Sequence, residues 1–79
     1  MRTAETDKWI KEFQRRLKSR MEYLEISQLE LSKRTGIHQA EISRYVRGKN
    51  IPLANNISKL ARALSMDVRD LIDFLTTDY

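Results

Sequence analysis

The sequence predicts an all-α domain, five short helices around one modest core. Three observations carry that expectation. Apolar residues recur three and four apart along most of the chain, the spacing that puts them on one side of a helix. Two glycines and one proline in 79 residues leave little turn material for a fold built of strands. Hydrophobic residues make up 41% and charged residues 33%, which suits a small helical core and not a disordered segment. The length allows one domain, taken as residues 1–79 with tails at 1–6 and 77–79 expected to fray. No internal repeat, linker or low-complexity stretch divides it.

The first helix is predicted from Asp7, with Thr6 or Asp7 as its cap, to about Leu24. Trp9, Phe13, Leu17, Met21 and Leu24 form one apolar stripe, and Ile10 widens it. Lys8, Lys11, Arg15, Arg16, Lys18 and Arg20 crowd the rest. A second helix opens on Ser27, Gln28, Leu29 and Glu30, the S-x-x-E pattern of a capping box. The Ser27 hydroxyl is expected to accept from the Glu30 amide, and the Glu30 carboxylate to reach back to the Ser27 amide. Gly36 stops this helix, because a left-handed residue there costs glycine nothing. Ile37 then tucks inward. A third helix follows from Gln39 to Arg47, with His38 as cap and Glu41 in the first turn, where a negative charge suits the helix dipole.

At 100° per residue, Ile42 and Tyr45 fall on one side of the third helix, with Val46 at the border. Gln39, Ala40, Ser43, Arg44 and Arg47 fall on the other. After it comes RGKNIP, a loop rich in hydrogen-bond donors, in which Gly48 allows positive φ and Pro52 bars a helix. A fourth helix is predicted over Ala54–Leu64, with Ile57, Leu60, Ala61 and Leu64 inward. Asp67 caps a fifth, whose stripe is Val68, Leu71, Ile72 and Leu75, with Phe74 also apolar. Most of these helices fall short of the ~12–15 residues at which isolated helices become marginal, so a shared core must hold them.

Charge and residue types exclude several classes of function. One histidine and no cysteine leave almost nothing for a metal site or a nucleophile, so no enzyme, no metal and no cofactor are expected. No glycine-rich loop opens a helix to cradle phosphate. No apolar run approaches the ~20 residues of a membrane span, and no leader pattern opens the chain; a cytoplasmic protein is expected. Net charge is +4, unevenly placed. Residues 1–50 hold twelve Lys/Arg against seven Asp/Glu, while residues 51–79 hold three against four. The positive charge thus lies with the third helix, as a phosphate-facing surface requires.

The stretch from Gln28 to Arg47 resembles the helix-turn-helix of the lambdoid phage repressor and Cro family. The matching features are Ser27 and Gln28 at the helix start, Leu31, Gly36, Ile37, the run Ile42, Ser43, Arg44 and Tyr45, and Gly48 ahead of Pro52. With its flanking helices the resemblance spans roughly residues 10 to 75. It implies a lambda-repressor-like fold and a major-groove reader of double-stranded DNA, with no small-molecule ligand. By that resemblance Gln39, Ala40, Ser43 and Arg44 stand at base-contacting positions. A Gln can pair with adenine N6 and N7, an Ala methyl can touch a thymine methyl, and an Arg can reach guanine O6 and N7. Gln28, Arg47, Lys49 and Asn50 stand where the family contacts phosphate. The rival reading is an antitoxin-like module whose main partner is a protein. Such a helix tends to present large apolar anchors, and the outward residues here are Gln, Ala, Ser and Arg.

A small Cro-like repressor is expected, and because one module of this size covers only ~600–1,000 Å² of DNA, it is expected to act as a homodimer on a palindromic operator. Neither an effector pocket nor a cleavable dimerisation domain is expected in a chain of this length. Ile51, Leu53, Phe74 and Leu75 are the expected dimer surface, apolar and away from the basic half; the alternative is that Phe74 and Leu75 close the core of a monomer. Two departures from the family have consequences. Its usual glycine near Glu25 is absent. An Arg late in the first helix and a Glu late in the third, which pair in many members, are replaced here by Met21 and Val46. These two are expected to share a pocket, and Val46→Glu to cost several kcal/mol.

Overall fold

Residues 4–73 are described by the structure, a computed structural model. They form five helices and no strand: α1 (Ala4–Leu24), α2 (Gln28–Thr35), α3 (Gln39–Val46), α4 (Ala54–Ala63) and α5 (Val68–Ile72). This is the all-α architecture that the apolar spacing predicts, with the helix-turn-helix that the resemblance implies. Helix α2 packs on α3 and α4, α4 on α5, and α1 closes the domain against α3 and α5. Phe13, Leu17, Leu31, Ile42, Tyr45, Leu60, Leu64 and Leu71 are fully buried at the centre. Among the described residues, no buried residue is polar except through the Tyr45 hydroxyl.

Several boundaries differ from the sequence expectation. Helix α1 opens at Ala4, not at Asp7, so residues 4–6 are helical and not frayed. Glu5 and Asp7 lie in its first turn, where the dipole favours them. Ile10, Phe13, Leu17 and Met21 carry its buried face, whereas Trp9 and Leu24 are only half-buried at its margins. Leu64 is the C-cap of α4 and not its last residue. Val68, expected inward, is exposed, and α5 buries Leu71 and half-buries Ile72. Phe74 and Leu75 lie outside the described residues.

Four helices end on a left-handed residue. Gly36 closes α2 with one bond, its amide donating to the Ser32 carbonyl at 2.8 Å. The other three are Schellman motifs, with paired bonds from the two residues past the cap. After α3, Gly48 donates to Tyr45 and Lys49 to Arg44. After α1, Glu25 donates to Glu22 and Ile26 to Met21; after α4, Ser65 donates to Arg62 and Met66 to Ala61. Gly36 and Gly48 have φ of 77° and 73°, but Glu25 and Ser65 hold φ of 57° and 55° with a Cβ in place. Glu25 therefore makes the turn that the resemblance assigns to a glycine. Glu25→Gly and Ser65→Gly should each stabilise by about 0.5–1 kcal/mol once glycine's extra freedom when unfolded is counted. A rise in urea midpoint checks this, and a fall would contradict it.

Helix α1 is tied down by its arginines. Arg20 donates from Nε to the Leu64 carbonyl at 2.9 Å and from Nη2 to that of Ser65 at 3.0 Å, serving the exposed carbonyls at the end of α4. Arg16 pairs with Glu12 and with Asp73. Arg15, and then Arg16, hydrogen-bond Glu12 and hold its carboxyl down to about 2. The Arg69 amide lowers Asp67 in the same direction, through the predicted cap at 2.8 Å. A carboxyl lowered on folding contributes stability above its ordinary range, and the contribution is lost as pH falls from there through the lowered value.

Candidate nucleic-acid interface

Local bonds shape the unit formed by α2, the turn and α3. Ser27 Oγ accepts from the Glu30 amide at 3.0 Å, one half of the predicted capping box. The other half is not made, because Glu30 turns its carboxylate to Arg34 Nε at 3.0 Å. Gln28 stands half-buried at the first position of α2. In the turn, Thr35 Oγ1 donates to the Leu31 carbonyl at 2.8 Å and accepts from the Ile37 amide at 3.0 Å. Ser32 Oγ donates to the Ile37 carbonyl. Ile37 is buried and pins the turn to the core. His38 Nδ1 caps α3 by accepting from the Ala40 amide at 3.2 Å.

Helix α3 divides as its sequence predicts. Ile42 and Tyr45 are buried and Val46 is half-buried. Gln39, Ala40, Arg44 and Arg47 are exposed, and Ser43 is half-buried beside them. None of the Gln39, Ser43, Arg44 or Arg47 side chains hydrogen-bonds another described residue. Their donors and acceptors face outward uncommitted. The one carboxylate of this helix, on Glu41, is engaged, accepting from the Tyr45 hydroxyl at 2.9 Å.

Beyond α3 the loop presents Arg47 and Lys49, both exposed, and draws Asn50 half inward. Asn50 Oδ1 is covered and has no hydrogen-bond partner. Of the predicted dimer residues, Ile51 packs half-buried on the core and Leu53 is 78% exposed.

Two contacts hold α3 that its sequence does not announce. Gln14 on α1 donates from Nε2 to the Val46 carbonyl at 2.8 Å, and its amide lies where a Cβ on Gly48 would meet it at 2.7 Å. Asn56 on α4 donates from Nδ2 to the Tyr45 hydroxyl at 3.1 Å. Burial pushes the Tyr45 phenol up, so it stays a neutral donor to Glu41. The Tyr45 ring meets Phe13 edge-on, centroids 6.3 Å apart. Neither Gln14 nor Asn56 carries a signal in sequence, since each is one polar residue on a polar face.

Met21 and Val46 line one shallow apolar recess with Lys18, Glu22 and Ile26, the shared pocket that their joint replacement predicts. Val46 is only half-buried there and Lys18 borders the recess. A carboxylate at 46 would thus keep part of its water. Val46→Glu should cost about 1–2 kcal/mol and not several. Chemical denaturation reads this directly, and a loss above ~3 kcal/mol would mean the recess closes over the side chain.

A family model described as helix-turn-helix matches residues 17–71, well over half of the chain. The chain belongs to the helix-turn-helix family, and the matched span holds α2, the turn, α3 and the loop beyond. Its architecture is that of a DNA-binding domain of transcription regulators. Comparison with curated proteins and with solved structures found no match. Among the described residues no helix is long and apolar enough to cross a membrane.

Proposed function

We propose that this protein is a sequence-specific regulator of transcription, of the Cro-like repressor kind, that reads the major groove of double-stranded DNA with α3. The observation that carries the reading is the uncommitted polar row Gln39, Ser43 and Arg44 on a helix clamped from behind. Gln39 and Arg44 have the fork geometry that reads adenine and guanine edges, and Ala40 offers a methyl between them. Gln28, Arg47 and Lys49 contact phosphate and set the register, with Asn50 the weakest of the set. The working unit is a homodimer on a palindromic operator, in the cytoplasm, with no cofactor.

Selection of bound duplexes from a random library tests this. A consensus should emerge, and Gln39→Ala or Arg44→Ala should cost ~1–3 kcal/mol on it while relaxing preference at one position. Lys49→Ala should weaken consensus and random duplex alike. Unchanged base preference in Gln39→Ala and Arg44→Ala would overturn the assignment of α3 as the reader.

A further inference from the structure

We propose that α1 carries a second, sequence-independent contact to the DNA backbone, made by Lys11 and Lys18. The inference rests on the DNA-binding reading of α3 and adds to it a surface outside the helix-turn-helix unit. Gln14 is the starting point. Its bond to the Val46 carbonyl and its packing on Gly48 set this side of α1 against the end of α3 and the start of the donor loop. Lys11 lies one turn before Gln14 on the same face and Lys18 one turn after it. The three residues, with Arg15, Ser19 and Glu22, line one open depression of about 380 Å³. Lys18 also borders the recess that reaches Val46. This face therefore continues the surface of Arg47 and Lys49 onto α1.

The charges on it are not equivalent. Arg15 is paired with Glu12, so its charge is largely balanced. Lys11 and Lys18 are exposed and make no ion pair with any described residue. Glu22 bounds the patch on one side and opposes an anion there. Seven residues at 1.5 Å each place the two lysines ~10 Å apart along the helix, too far to share one phosphate. Each would neutralise its own phosphate and release its own counterion. Lysine, a hydrated point charge on a flexible stem, suits contact with phosphate more than recognition of a base edge.

The test is the salt dependence of duplex binding by the full chain, on the selected consensus and on a random duplex. Lys11→Gln with Lys18→Gln should lower the log–log slope by about 1.8, near 0.9 for each lysine, and weaken both duplexes by the same factor. Lys59→Gln on α4, which packs on α2 and α5, should leave the slope unchanged. Thermal unfolding of each variant confirms that these exposed substitutions leave the fold intact. If the wild type binds and Lys49→Ala lowers the slope while the double variant does not, the α1 contact is overturned and the α3 reading stands. An equal loss in Lys59→Gln makes the effect one of net charge and also overturns it. A wild type that binds no duplex removes the underlying DNA reading instead.

Discussion

Phe13→Ala is expected to destabilise the domain by ~3–5 kcal/mol, the range for emptying a fully buried aromatic site. Phe13 has no exposed surface and meets Tyr45 edge-on, so its removal opens a void between α1 and α3. The void cannot readily collapse. Gln14, the next residue, is bonded to the Val46 carbonyl, and Arg20 and Arg16 hold α1 to the far side of the molecule. A domain of this length has a total stability of roughly 4–12 kcal/mol, so the loss is a large share of it. The thermal midpoint should fall by at least ~12 °C, at several degrees per kcal/mol for a chain this small. Urea denaturation would read the same quantity. A loss below ~1 kcal/mol would mean that α1 does not pack on α3 as described.

Leu53→Asp is expected to weaken binding to a palindromic operator by ~10²–10⁴ while leaving a single half-site unaffected. That factor is the gain from tying two modules together and disappears when they part. Leu53 is an apolar residue that the monomer leaves 78% exposed, just ahead of α4. Two recognition helices related by a two-fold axis would lie about one turn of DNA apart, ~34 Å. A single module of this size covers only ~600–1,000 Å² on DNA, too little for high specificity alone. Because Leu53 touches little within its own chain, the variant should fold normally, which separates loss of assembly from loss of structure. Sedimentation on duplexes carrying one or two half-sites decides the matter. One copy of the wild type per palindrome would sink the dimer.

What was legible in the sequence is what depends on near neighbours. The stripe Ile10, Phe13, Leu17 and Met21 follows from helical spacing alone. Gly36 and Gly48 mark their turns because only a residue without Cβ takes positive φ cheaply. Ser27, His38 and Asp67 cap because a short acceptor precedes free amides. The face of α3 bearing Gln39, Ser43 and Arg44 is equally local. What stayed hidden depends on distant partners or on competition. Glu30 had two possible partners, and the nearby Arg34 prevailed over the Ser27 amide. Glu25 and Ser65 adopt left-handed geometry that no side-chain type announces, imposed by the packing of the elements on either side. Val68 was assigned inward by periodicity, but so short a helix buries little beyond Leu71. Gln14 and Asn56 act on residues 32 and 11 positions away, beyond any local pattern.

The double clamp on α3 has a thermodynamic consequence. Eight residues are too few to be helical alone, yet α3 is held at its last two residues, Val46 by Gln14 and Tyr45 by Asn56, before any ligand arrives. Association through α3 therefore need not be coupled to its folding. The heat-capacity change on binding should match the surface buried at the contact, without the larger negative increment that accompanies ordering of a segment. The entropy of arranging α3 is lost once, when the chain folds, and not again on association with a ligand.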